Sequence, residues 1–163
     1  MNRFLFVCMG NICRSPTAKG VFDTTLREHG IAFESASAGT HDYHVGRRPD
    51  PRAIRAAAAV GLEIGDDIAR QATAEDFQVF DRIFVMDRAN LQALERIRPT
   101  DARAELRLVM ELVPDYGLDE VPDPYYGDDD GFVRVIDMLQ AAALALAEDL
   151  ASAARRESGS TSE

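Results

Sequence analysis

Residues 4–16 read Phe4-Leu5-Phe6-Val7-Cys8-Met9-Gly10-Asn11-Ile12-Cys13-Arg14-Ser15-Pro16, and the fold follows from how this stretch is read. The first four residues form a short unbroken apolar run, as expected of a strand buried on both faces. Ser15-Pro16 reads as a helix start, serine as the cap and proline in the first turn. Between them, five residues separate Cys8 from Arg14, and a hydroxyl follows. On ordinary residue frequencies, Arg then Ser or Thr falls at that distance from about one cysteine in a hundred. The setting sharpens the signal, because phosphate sites form where a buried strand gives way to a helix N-terminus.

Such a loop can turn its backbone N–H groups inward as an anion-binding nest. Met9, Gly10, Asn11, Ile12 and Cys13 are its candidate binding residues, and Gly10 and Asn11 best tolerate the positive φ that curling requires. Arg14 offers a planar fork for two phosphoryl oxygens at once. The N–H groups, the helix dipole and Arg14 all favour negative charge on the Cys8 sulfur. Ser15 can hydrogen-bond to that sulfur and ease its departure in a second step. For Cys13 two readings stand: a small apolar filler under the loop, or a redox partner.

Working outward, strands and helices alternate. Ala18, Val21, Phe22 and Leu26 mark one helical face. Phe33 to Ser37 reads as a second strand, closed by Gly39. An alanine-rich helix is expected from Pro51 to Val60. Ile83 to Met86 is a third strand, followed by a helix carrying Leu91, Leu94 and Ile97. Leu106 to Met110 is a fourth strand. The last helix carries Phe132, Val135, Ile136, Leu139, Ala143, Leu146 and Leu150 in steps of three and four. This order predicts a single α/β domain with parallel strands and helices on both faces. Its binding crevice should lie at the carboxyl ends of the strands, where Cys8 sits. The domain is expected to span residues 1–155, with 156–163 a disordered tail lacking apolar residues.

The chain has 163 residues, suited to one domain, and 28 acidic against 18 basic side chains give a formal charge of -10. That charge repels phosphate backbones and anionic lipid, so neither nucleic acid nor membrane is an expected partner. No apolar run approaches the roughly 20 residues of a membrane span. No signal-peptide cleavage site follows the first strand, and the chain reads as cytoplasmic. Cys8 and Cys13 are too few for a disulfide scaffold. His29, His41 and His44 show no zinc-ligand spacing with them, so no metal is expected. Asp128-Asp129-Asp130-Gly131 lacks the alternating carboxylates of a calcium loop and reads as a solvated acidic stretch at the last helix.

Attack of a thiolate on a phosphate ester requires a proton donor for the leaving oxygen. Asp123-Pro124-Tyr125-Tyr126 offers one, a carboxylate on a proline-stiffened, aromatic loop. The chain resembles the low-molecular-weight protein tyrosine phosphatases in Phe6 to Pro16, Ser37-Ala38-Gly39-Thr40, His44-Val45-Gly46, Pro49-Asp50-Pro51-Arg52, Ala69-Arg70-Gln71, Met86 to Leu91 and Asp123 to Gly127. The resemblance implies a four-stranded parallel sheet flanked by helices and hydrolysis of phosphotyrosine without metal or cofactor. It implies Cys8 as nucleophile, Arg14 as transition-state clamp and Asp123 as acid then base. Tyr125 and Tyr126, with Tyr43 across the mouth, would receive the substrate ring. The implied partners are a phosphotyrosine-bearing protein and an upstream tyrosine kinase.

Two departures stand out. Tyr43 occupies a place where family members often carry tryptophan. Asp67 stands where many have a histidine that helps hold the loop asparagine, so Asn11 must be held differently. Rival readings fare less well. An arsenate reductase would need further cysteines after Cys13, and the phosphoarginine branch carries threonine where Ile12 stands. A module that only binds phosphotyrosine would have no need of Asp123. An activated Cys8 should also be redox-sensitive, and Cys13 is positioned in sequence to protect it by forming a disulfide.

Overall fold

In the computed structural model, which describes residues 1–160, the opening apolar run is strand β1 (Asn2–Cys8), in the interior of a four-stranded parallel sheet. The strand order is β2 (Phe33–Gly39), β1, β3 (Arg82–Val85), β4 (Glu105–Leu108). Register sets Cys8 opposite Gly39 and Val7 opposite Val85. Side chains alternate across a strand, so Phe4, Phe6 and Cys8 face one side and Leu5 and Val7 the other. Both sides are covered, as the unbroken apolar run requires.

On the Phe6 side lie α1 (Arg14–Glu28), α2 (Pro51–Ala59) and the long α5 (Asp129–Ser160). The rings of Phe6, Phe22 and Phe84 meet there at centroid distances of 4.6 to 6.1 Å. Such aromatic pairs add roughly 0.5–1.5 kcal/mol each beyond area burial, which anchors the strand only two residues before Cys8. On the Leu5 side lie the short α3 (Asp76–Val79) and α4 (Arg88–Ile97), through Phe77 and Leu94.

Three expectations shift. β4 ends at Leu108, and Val109 and Met110 enter a 3-10 turn (Val109–Leu112). Both stay buried, and an apolar run marks burial without separating a strand from a buried turn. α1 begins at Arg14 with Cys13 at its N-cap and no side-chain cap, so Ser15 is not the cap. Its hydroxyl is used elsewhere, as described below. α5 continues through Ser160, past the tail boundary expected after residue 155, and the Ala153-Ala154-Arg155-Arg156-Glu157 run, exposed from Ala154 onward, consists of good helix formers. The remainder of the expected tail, 161–163, lies outside the described residues. No helix among the described residues is long and apolar enough to cross a membrane.

The chain leaves β1 for β2 on one side and later returns to β3 on the other. That reversal opens a crevice at the carboxyl ends of the strands, directly above Cys8.

Candidate active site

Residues 8–14 curl at the end of β1, and neighbouring loops hold the curl from outside. Thr40 N–H donates to the Cys8 carbonyl at 2.9 Å, His41 N–H to the Met9 carbonyl at 3.0 Å, and Asp50 N–H to the Ile12 carbonyl at 2.8 Å. In a trans peptide the C=O and the following N–H point opposite ways. Tying those carbonyls outward therefore turns the N–H groups of Met9, Gly10 and Cys13 towards the cavity. Asn11 N–H donates to the Cys8 sulfur at 3.3 Å, and the Ser15 hydroxyl meets it at 3.1 Å.

Of the two residues expected at positive φ, Asn11 adopts it (59°) and Gly10 does not. Gly10 is required for space instead: a Cβ there would meet the His44 ring at 2.9 Å. Asn11 is buried, and its side chain bonds in three directions. Its amide donates to Ser15 Oγ at 2.7 Å and Ser37 Oγ at 2.9 Å, while its carbonyl accepts from Arg70 N–H at 3.0 Å. These bonds answer how Asn11 is held without a histidine. Asp67 takes no part in them. Burial pushes its carboxyl above the usual range, with Asp23 and Asp66 adding and Lys19 opposing.

Arg14 is buried, and Asp87 accepts from its Nη1 at 2.6 Å, as does the Val121 carbonyl at 2.9 Å. Its other terminal nitrogen lies 3.6 Å from the Asp123 carboxylate. Burial alone would lower its pKa, but Cys8, the Asp87 hydrogen bond and the charges of Asp87 and Asp123 raise it above the ordinary value. Arg14 stays cationic and fixed in direction. Asp87 also caps α4, exchanging bonds with Asn90 in a capping box. The sequence reading missed this residue, although a carboxylate at the carboxyl end of β3 is a crevice position.

A cavity of about 280 Å³ collects these groups. Cys8, Met9, Gly10, Ile12, Cys13 and Arg14 line its floor and walls, with Tyr43, Asp123, Tyr125 and Tyr126 towards the rim. The side chains of Asn11 and Ser15, also expected at the site, support the loop from behind. His44, which showed no zinc-ligand spacing in the sequence, lines the cavity as well as backing Gly10. Tyr126 is 88% exposed, and Tyr43 stacks on His41 at 4.9 Å. Asp119, another acidic residue of this region, is engaged by Arg88, whose hydrogen bond holds its carboxyl below the usual range. No group of three or more potential metal ligands occurs among the described residues.

Comparison with known proteins agrees with this geometry. The family model described as low molecular weight phosphotyrosine protein phosphatase matches residues 3–156. A protein of that description from Schizosaccharomyces pombe is 40% identical over 143 residues, covering 83% of this chain and 91% of the relative. The crystal structure of a protein tyrosine phosphatase from Entamoeba histolytica, with Hepes in its active site, superposes with a TM-score of 0.88. It is 36% identical, over 94% of this chain and 99% of that one. A structure described as a Drosophila arginine phosphatase superposes with a TM-score of 0.86 at 26% identity, over 92% of this chain and 98% of that one.

Gly39 is the point where β2 touches the loop. A Cβ there would lie 2.8 Å from the Met9 carbonyl oxygen and 3.2 Å from Asn11 N. These are backbone atoms, so Gly39→Ala must move the loop. We expect affinity for inorganic phosphate, measured by titration calorimetry, to fall about 10- to 100-fold, the scale on which small misplacements act at such sites. Unchanged affinity would show that the loop absorbs the methyl group.

Proposed function

The chain belongs to the low molecular weight phosphotyrosine protein phosphatase family, and from that premise we propose which of its residues carry the reaction. The activity is hydrolysis of phosphotyrosine through a phosphate ester on cysteine. We assign Cys8 as the nucleophile, Arg14 as the clamp on the phosphoryl oxygens, and Asp123 as the acid. One observation carries the assignment: the Cys8 sulfur, met by Asn11 N–H and the Ser15 hydroxyl, shares a single cavity with Arg14 and Asp123.

In the first step the Cys8 thiolate attacks phosphorus in line with the tyrosine oxygen. The inward N–H groups and Arg14 hold the three equatorial oxygens as their charge spreads. Asp123 protonates the departing phenolate, which would otherwise leave poorly. In the second step Asp123, now ionised, takes a proton from water as the water attacks the phosphocysteine. The sulfur leaves as a thiolate stabilised by Ser15 and Asn11 N–H. Tyr43, Tyr125 and Tyr126 offer apolar and aromatic surface to the substrate ring. Ile12 in the cavity floor supports an aryl substrate over phosphoarginine, since the resemblance gives the phosphoarginine branch a threonine there.

We take residues 1–155 as the catalytic domain, with a cytoplasmic setting and a tyrosine kinase as the opposing enzyme. The acidic composition and the absence of an extended apolar run in the sequence support this reading.

A second reading concerns Cys13. Both thiols line the cavity, and burial, then the Asp50 charge, pushes the Cys13 thiol well above the ordinary range. We take Cys8, the sulfur contacted by Asn11 N–H and the Ser15 hydroxyl, as the one that peroxide attacks. We propose that the resulting Cys8 sulfenic acid condenses with Cys13: an S–S bond forms, and the sulfenic oxygen leaves as water with the Cys13 proton. Asp50 Oδ2, 4.0 Å from the Cys13 sulfur, stands where that proton departs.

Three outcomes follow. Cys8→Ser should abolish turnover yet bind a phosphotyrosine peptide, and substantial phosphate release would refute the mechanism. Asp123→Asn should lose about 10²–10⁴ in rate on phosphotyrosine, measured as kcat/KM. The loss should be smaller on an ester of a strongly acidic phenol, and equal losses would point to another acid. After peroxide and then a thiol reductant, wild type should regain most activity and Cys13→Ala should not. Equal recovery would leave Cys13 a packing residue.

A further inference from the structure

We propose that Arg52 is a positioning residue for the general acid, a strut that ties the loop carrying Asp123 to the phosphate-binding loop. The inference rests on the assignment of Asp123 as acid. Arg52 lies in the first turn of α2, half-buried, and its guanidinium has two sets of partners. Nε and Nη2 grip the Asp50 carboxylate at 3.1 and 2.9 Å. Nη2 also donates to the Tyr125 carbonyl at 2.9 Å. The guanidinium carbon sits 4.8 Å from the Phe132 ring centroid and 5.6 Å from that of Tyr125. A lysine would offer neither the fork nor the flat face.

Each end of the strut continues into the site. Asp50, itself buried, donates its N–H to the Ile12 carbonyl, one of the carbonyls that must be held outward for the loop to curl. Tyr125 N–H donates to Asp123 Oδ1 at 3.0 Å. The connection thus runs from Ile12 through Asp50, Arg52 and Tyr125 to the acid. Among the described residues, the Arg52 bond to Tyr125 is the only hydrogen bond from another element to the backbone of residues 122–127. That stretch has no helix or strand of its own. Asp123 sits on an exposed loop and must reach an oxygen held by a buried one, so a strut between the two loops sets the distance that proton transfer depends on.

A purely structural role would cost all substrates alike. A role in positioning the acid depends on how much protonation the leaving group needs. The test measures kcat/KM, which covers the steps through leaving-group departure, across aryl phosphates from strongly acidic phenols up to tyrosine, whose phenol titrates near pH 10. Arg52→Met should lose about 10- to 100-fold on phosphotyrosine, the scale for a misplaced reacting group, and little on the most acidic phenol, so the leaving-group slope steepens. Arg52→Lys should fall between. Inhibition by inorganic phosphate and the thermal midpoint report whether the phosphate loop and fold remain intact, and both should stay near wild type. In an Asp123→Asn background, Arg52→Met should steepen the slope no further.

If Asp123→Asn steepens the slope and Arg52→Met does not, the role of Arg52 is overturned while the acid stands. An equal loss on every ester, or phosphate inhibition weakened in parallel, also overturns it. If Asp123→Asn itself leaves the slope unchanged, the acid assignment fails and this inference falls with it.

Discussion

The N–H groups of the loop after Cys8 can face a phosphate only if the carbonyls between them are satisfied from outside. Buried carbonyls left without partners would each cost about 1–3 kcal/mol, which is a large fraction of the stability of a small domain. Thr40, His41 and Asp50 supply three of the required donors. All three lie between the end of β2 and the start of α2. The edge strand β2 therefore does more than close the sheet: its parallel register with β1 brings Gly39 opposite Cys8 and feeds the next two N–H groups onto the loop. Asn11 completes the support, with its backbone in the left-handed region and its side chain linking Ser15, Ser37 and Arg70.

The same geometry brings a buried cation under control. Arg14, the proposed clamp on the phosphoryl group, is withdrawn from water, and an unpaired buried charge is costly. Asp87 and the Val121 carbonyl hold Nη1, which leaves the rest of the fork to turn towards the cavity. Because Asp87 is also locked by the α4 capping box, the direction of the guanidinium is fixed by a helix terminus rather than by a flexible side chain. Asp123 lies against the other terminal nitrogen at a longer 3.6 Å, a weaker hold that suits the proton exchange proposed for it.

What the sequence made legible was whatever depends on local pattern. The buried run before Cys8, its junction with a helix, and the strand-helix alternation all appear in the sheet and its crevice. Spacing and residue type also pointed to Cys8, Arg14 and the curl of Asn11. What escaped depends on partners distant along the chain. Ser15 looked like a cap because a serine before a helix usually is one; its bond to the Cys8 sulfur was legible, and the fold adds that Asn11 donates to the same hydroxyl. Gly10 looked like a source of positive φ, but the His44 ring packed against it demands an absent side chain. Met110 matched a strand because burial alone sets an apolar run. Asp87 and Arg52 were visible as letters, yet their contacts bridge 73 residues each, beyond any local pattern.

The overall charge of -10 opposes a phosphorylated substrate at long range, and the site acts at short range. At physiological salt, exposed charges are screened over about 8 Å, so acidic residues on the far surface contribute little at the cavity mouth. Within that distance the carboxylates of Asp87 and Asp123 flank Arg14, while Arg14, the N–H groups of the loop and the N-terminus of α1 supply the favourable charge in a partly enclosed cavity where electrostatic interactions strengthen. On the proposed assignment the phosphoryl group is selected at short range. The aromatic rim would add a contribution that salt does not screen: Tyr125 and Tyr126 meet edge to face at 4.9 Å, and a substrate ring partly buried there would gain roughly 25 cal/mol per Å² of apolar surface. A phosphoserine side chain would have no ring to bury there, so on the proposed assignment the rim and the buried Cys8 together favour the aryl ester.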